Sequence, residues 1–511
     1  MSVRLNRRTV TIPLGMAVAS ALAFLPNVAS ATEAGQQVAA AQSISAAADG
    51  DALSYVVNVR PGHSSSAVQK AIGKAGGSVV IAYDQIGVIV VHSANADFAK
   101  EIRKDKGVES AGATRTAPLS PQSTTEMWSP QVLSDSEVKA AAAAATDGQE
   151  PLEYLQWDLP MIKADKAHEI TLGSSKVTVG VIDTGVDDTH PDLAANFNRA
   201  ASVNCVAGKP NTADGAWRPN AGESPHGTHV AGEIAAAKNG VGMVGVAPGV
   251  KVSGIKVSTP EGWFYTEAVV CGFVWAAEHG VDITNNSYYT DPWNFNCADD
   301  PDQKALVEAV SRATKYAESK GTVNVAAAGN DNWDLAGKTI LDPGSPNDST
   351  PGDRVIDPKK CLDIPAMLPG TVTVSSIGAK GIKSSFSNYG QGMIDVAAPG
   401  GDSTVYQTPD APATSGLILG TLPGNQYGYM AGTSMASPHA AAVAALIKST
   451  HPNATPNQVK ALLAQGADKK ECTTPYDING DGKIDAVCKG GKGKNAFYGE
   501  GVVNALNAVT K

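Results

Sequence analysis

An α/β fold with a mainly parallel central sheet, covered by helices on both faces, is predicted for most of this 511-residue chain. Two observations predict it. Short apolar runs recur after residue 151: "KVTVGVIDTG" (176–185), "VKVSGIKV" (250–257), "VDITNNS" (281–287), "TVNVAAAGN" (322–330), "TVTVSSIG" (371–378) and "MIDVAAPG" (393–400). Helical patterns near 229–237, 266–279, 302–319 and 432–448 lie between several of them. Strands that alternate with helices pair in parallel and are buried on both faces. Ligands gather at the carboxyl ends of such strands, where Asp183 and Asn330 fall.

In chain order, Arg4, Arg7 and Arg8 precede an almost wholly apolar stretch at 12–25, followed by Ala29-Ser30-Ala31. That series reads as a secretory signal over residues 1–31, too short for a membrane span. Residues 32–50, rich in Ala, Gln and Ser, read as low-complexity. The order strand-helix-strand-strand-helix-strand over 51–117 predicts a small ferredoxin-like α/β unit without a reacting constellation. Residues 118–150, with Pro121, Pro130 and the alanines at 140–145, read as a linker or processing region, and 151–511 as the main domain.

The formal net charge of -10 gives no support for a nucleic-acid partner. No later apolar run is long and charge-free enough to span a bilayer, so a secreted, extracellular, monomeric product without a membrane anchor is expected. The six cysteines, at 205, 271, 297, 361, 472 and 488, favour disulfides in an exported chain. Only the local pair Cys472–Cys488 is read directly, and the lack of close C-x-x-C pairs argues against zinc.

Three segments carry chemistry: "VIDTGVDDTHPDL" around Asp183, "HGTHVAG" from His226 and "GTSMASPH" around Ser434. Singly, each has a structural explanation as a turn, a helix terminus or a cap. Together they supply a carboxylate, an imidazole and a hydroxyl. A serine hydroxyl becomes a useful nucleophile when an imidazole takes its proton and a carboxylate fixes that imidazole. Asn330, in "AAAGN", adds a side-chain N–H donor for an oxyanion.

These motifs resemble those of the subtilisin-like serine protease family, over roughly residues 151–509. The resemblance implies a three-layer subtilisin-like fold and a serine endopeptidase acting on peptides and proteins, with no cofactor for the chemistry. Asp183 would orient the base, His226 would act as general base and acid, Ser434 as nucleophile and Asn330 as oxyanion donor. His229 and His439 would be packing residues, and His190 would shape a turn. The 51–117 unit resembles the family's propeptide, a folding aid and inhibitor of the enzyme it precedes.

The resemblance also implies structural calcium. The stretch "AAKNGVGMVGVAP" (236–248) resembles a calcium loop, with the carbonyls of Ala237, Val241 and Met243, the Asn239 side chain, Asp192 and Gln156 as ligands. A second candidate, "DINGDGKID", places Asp477, Asn479, Asp481, the Lys483 carbonyl and Asp485 at alternate positions, as in the first nine positions of an EF-hand loop. Position twelve is Cys488, so an acidic turn closed by a disulfide is an equal reading. Specificity departs from the family: "NSYYT" places Ser287, Tyr288, Tyr289 and Thr290 where Ser-x-Gly-Gly is usual. Tyr289 would narrow the pocket, or turn away and recruit another loop, and Trp263 with Phe264 would form an aromatic subsite or simply pack. A dedicated processing protease of narrow specificity is the nearest alternative, and a catalytically silent binding protein of the same fold a more distant one. An esterase is disfavoured because the serine motif is not G-x-S-x-G.

Overall fold

Val179 and Val181 face one apolar cluster and Ile182 another, because the strand that carries them is covered on both sides. That strand, Thr178–Asp183, sits inside a seven-stranded sheet. In spatial order the sheet runs Val396–Pro399, Val372–Ile377, Val323–Ala327, Ile283–Asn286, Thr178–Asp183, Lys251–Lys256 and Val203–Asn204, with every pairing parallel. Helices His226–Ala235 and Thr433–Thr450 pack on one face, and helices Thr266–Glu278 and Pro301–Ser319 on the other. The three-layer α/β arrangement is thus as expected. The chain leaves Thr178–Asp183 toward Lys251–Lys256 on one side, then returns to Ile283–Asn286 on the other. This reversal opens a crevice at the carboxyl ends of the two strands, where Asp183 and Ser287 lie.

The structure is a computed structural model that describes residues 52–116, 129–402, 407–478 and 480–511. The signal and low-complexity assignments, and Asn479, lie outside the described residues. Among the described residues, no helix is long and apolar enough to cross a membrane.

The small α/β unit has strands Leu53–Val59, Ser78–Tyr83, Val88–Ser93 and Val108–Ala113 in the order second, third, first, fourth. Helices Ser65–Lys74 and Phe98–Ile102 complete it. Its Val56, Tyr83, Val88 and Val90 join the cluster formed by the two helices at 266–278 and 301–319. Polar contacts fix the docking: Asn58 Nδ2 donates to the Ala305 carbonyl at 2.9 Å, and Arg312 donates to the carbonyls of Val59 and Gly87, each at 2.9 Å. Gly112 lies so close to the long helix that a Cβ there would sit 2.4 Å from the Asp302 carbonyl oxygen. Arg115 closes the face by pairing with the buried Glu267 at 2.5 Å.

Residues 129–150 are more ordered than a linker. Gln131–Val132 pairs with Gly428 and Tyr429, and Asp135–Ala144 is a helix. The alanine run behind the linker reading is itself the best helix-forming sequence. Ser134 caps it, with its Oγ accepting from Glu137 N at 3.3 Å while the Glu137 carboxylate accepts from Ser134 N at 2.7 Å. An antiparallel hairpin, Ile418–Leu422 with Gln426–Met430, is a further element beyond the sequence expectations. Its turn uses Gly424 and Asn425 at positive φ, as tight hairpins require. Disulfides join Cys205–Cys271, Cys297–Cys361 and the expected pair Cys472–Cys488.

Candidate active site

Asp183 ends its strand fully buried, and its Oδ1 lies 2.8 Å from His226 Nδ1. The same oxygen accepts from the Thr184 N–H at 2.7 Å, so the carboxylate cannot swing. His226 opens its helix, and Gly227 allows that helix to abut the strand end: a Cβ there would stand 2.4 Å from the Gly185 carbonyl. An imidazole whose Nδ1–H is committed to a carboxylate presents Nε2 as the basic nitrogen. His226 lines the same cleft as Ser434 and Asn330.

Ser434 occupies the first turn of the helix Thr433–Thr450, whose cap, Gly432, offers no side-chain acceptor. First-turn N–H groups have no partner within the helix. The Asn330 carboxamide oxygen takes one of them, accepting from Thr433 N at 2.8 Å and from Thr433 Oγ1 at 2.9 Å. Its amide nitrogen is thereby turned toward Gly432, where a Cβ would stand 3.6 Å from Asn330 Nδ2 and 3.4 Å from Ser434 N. Two N–H donors therefore converge beside the serine.

Pro438, one turn on, cannot donate to the Ser434 carbonyl. Ser287 supplies the missing bond: its Oγ donates to the Ser434 carbonyl at 2.8 Å, while Ser434 Oγ donates to the Ser287 carbonyl at 3.1 Å. Asn285 holds Ser287 Oγ at 2.9 Å and accepts from Ser437 Oγ at 2.6 Å, locking the serine turn onto the sheet.

With the geometry in place, comparison with known proteins is decisive. The subtilase family profile matches residues 174–501. The chain belongs to the subtilase family. Subtilisin NAT of Bacillus subtilis subsp. natto is 32% identical over 359 residues, covering 70% of this chain and 72% of that protein. M-protease of Shouchella clausii is 30% identical over 353 residues, covering 69% of each. Among solved structures, the epidermin leader peptide processing serine protease of Staphylococcus aureus superposes with a TM-score of 0.65 at 23% identity, covering 90% of this chain and 98% of that one. As a subtilase, the protein is a serine endopeptidase of the subtilisin type.

Three further histidines of this subtilase, His190, His229 and His439, are held by structural contacts. His190 Nδ1 accepts from Asp192 N at 3.2 Å and shapes a short helix start. His229 is buried between Glu233 (2.8 Å) and the Gly428 carbonyl (3.1 Å). His439 Nδ1 faces the Met435 carbonyl at 2.7 Å and the Glu233 carboxylate at 3.4 Å, while Nε2 faces Asp158 at 3.0 Å. Burial alone would lower its pKa, but hydrogen bonds and attraction from Asp158 and Glu233 prevail and push it up to about 10. A pKa raised above the unfolded value of about 6.5 stabilises the fold fully below that pH. The contribution fades as pH rises toward about 10. Thermal melts of the Ser434→Ala protein should therefore show a Tm that falls over this interval, and Asp158→Asn should flatten the fall.

Of the sequence-assigned subsite residues, Ser287, Tyr288, Tyr289, Trp263 and Phe264 all line the cleft, which has a volume of about 390 Å³. Phe264 stacks on Tyr288 with centroids 4.6 Å apart. Tyr289 turns toward the segment 331–360, where its hydroxyl accepts from Asn347 Nδ2 at 2.8 Å. Asn347 also donates to Asp291 at 2.7 Å, so this segment forms part of the cleft wall. Asp291, Asp331 and Asp363 line the cleft as well. Sequence reasoning missed them; only Asp331, next to Asn330, carried a positional signal.

The side-chain oxygens assigned to the first calcium loop accept hydrogen bonds within the protein. Asp192 Oδ2 accepts from the Tyr427 hydroxyl and from Met243 N, both at 3.0 Å. Gln156 Oε1 accepts from Val244 N at 3.0 Å, and Asn239 Oδ1 from Val241 N at 3.0 Å. Ala237 N donates to the Asp192 carbonyl, and the buried Asp192 Oδ1 has no hydrogen-bond partner among the described residues. The unpartnered Asp192 oxygen, with Gln156, Asn239 and the carbonyls of Ala237, Val241 and Met243, makes an all-oxygen donor set that fits a hard cation, and these residues would hold calcium here. In the second loop, Asp477 accepts from the N–H groups of Gly480, Asp481 and Gly482, Asp485 from Ile478 N, and Asp481 from Lys483 N. The Lys483 ammonium stands 3.5 Å from Asp481.

Proposed function

We propose that this subtilase is a secreted enzyme that hydrolyses peptide bonds through an acyl-enzyme on Ser434. The observation that carries the reading is the convergence of the His226–Asp183 pair, Ser434 and two N–H donors in one cleft. His226 Nε2 takes the Ser434 proton as Oγ attacks the carbonyl carbon, and returns it to the leaving amine. Asp183 holds the tautomer and stabilises the imidazolium. Asn330 Nδ2 and the Ser434 N–H receive the developing oxyanion. Water then repeats the cycle to release the acid. Asn330→Ala is expected to lower kcat by about 10²–10³ with little change in KM, the loss known for one such donor in subtilisin.

The small unit acts as the inhibitor and folding aid in this reading. Its support is the docked face, built from apolar packing and the Arg115–Glu267 pair. A narrower processing role is favoured by the wall that Tyr289 and Asn347 add to the cleft. The Staphylococcus aureus relative is, by its name, a leader-peptide processing protease. Labelling the purified wild type with a fluorophosphonate and mapping the adduct tests the central reading: the adduct should fall on Ser434. A folded protein that neither labels nor cuts a peptide library would overturn it.

A further inference from the structure

Asp363 is buried, 6% exposed, and lines the cleft that holds Ser434. Its Oδ1 has no hydrogen-bond partner, and no ion pair reaches the carboxylate among the described residues. Its Oδ2 approaches to 3.7 Å of the place a Cβ on Gly329 would take, so it lies against the backbone immediately before Asn330. Asp331 follows Asn330 on the same wall and stands exposed at the mouth. Asp291 is the third carboxylate, but the Phe264 N–H (2.6 Å) and Asn347 (2.7 Å) already occupy its oxygens. No lysine or arginine lines the cleft among the described residues. The nearby Arg354 is paired with Asp342 at 3.2 Å.

We infer that the primary specificity pocket of this subtilase takes a basic side chain, arginine or lysine, with Asp363 as its charge partner and Asp331 as a weaker one at the mouth. The inference rests on the protease reading and names its substrate class. An apolar side chain seated there would seal an unpaired carboxylate away from water, which is costly. A guanidinium or ammonium instead gives it a charge-assisted hydrogen bond. Trp333 and Tyr289 line the same cleft and offer faces for the aliphatic stem of such a side chain. Burial and the neighbouring Asp331 push the Asp363 carboxyl well above the ordinary carboxylate range.

The test uses the processed wild type, with active sites titrated by a fluorophosphonate. Peptides identical except for Arg, Lys, Leu, Phe or Glu before the scissile bond are compared, and cleavage positions are checked by mass. Arg or Lys should exceed Leu and Phe by about 10² or more in kcat/KM, as in sites built to bond a polar group. The ratio between the Arg and Lys arms reports which head group the pocket prefers. Asp363→Asn should reduce the basic-to-neutral ratio at least tenfold, and Asp331→Asn by less than about fivefold. If Asp363→Asn does not titrate, Asp363→Ser supplies the same comparison. A titrating wild type that prefers Leu or Phe overturns this inference and leaves the protease reading standing. Failure to titrate at all overturns both.

Discussion

Replacing Ser434 with alanine is expected to lower kcat by on the order of 10⁶, the loss that removal of the serine costs in subtilisin. Ser434 Oγ donates to the Ser287 carbonyl at 3.1 Å. Losing that bond should change stability by about 1 kcal/mol. The Ser287 Oγ bond to the Ser434 carbonyl does not involve the lost hydroxyl and remains. The substitution thus separates chemistry from folding. Residual turnover should match what the two N–H donors and substrate binding provide alone. Three readouts check it: peptide hydrolysis, disappearance of the fluorophosphonate adduct, and accumulation of uncut precursor. Hydrolysis within tenfold of the parent would remove Ser434 from the mechanism.

Asp183→Asn carries the next largest effect, a fall in kcat of about 10⁴ near neutral pH. The carboxamide preserves size in a fully buried position. It also offers an N–H to His226 Nδ1, where the carboxylate accepts one at 2.8 Å. The imidazole would then carry its proton on Nε2 and could not act as a base. Because substrate contacts are unaltered, KM should move little. Measuring kcat and KM separately, with melting to verify the fold, decides the matter. A loss confined to KM would contradict an orienting role.

Asp183, His226, Asn330 and Ser434 were legible because each sits in a local motif whose neighbours share one task. Gly227 admits the helix, and the alanines after Ser434 fill the core. The strands were legible because continuous apolar runs mark a sheet buried on both faces. Asp363 was not, since it lies in "CLDIPAML" without a pattern and becomes part of the cleft only through tertiary packing. Tyr427 was hidden similarly: it reaches Asp192 from a hairpin distant in sequence. The helix at 135–144 was readable in principle, because Ser134 and Glu137 form a capping box ahead of the alanines. There, the expectation of a linker outweighed local propensity.

If the small unit is the proposed propeptide, the short strand Gln131–Val132 constrains where the chain can be cut. It lies along Gln426–Met430, the hairpin arm that runs directly into the nucleophile's helix. Stripping it away would uncover that arm's backbone and leave a sheet edge open to strangers. A cut upstream of residue 129 instead keeps this brace on the working enzyme. If the small unit is released as proposed, a junction before this strand would free it without loosening the serine's support.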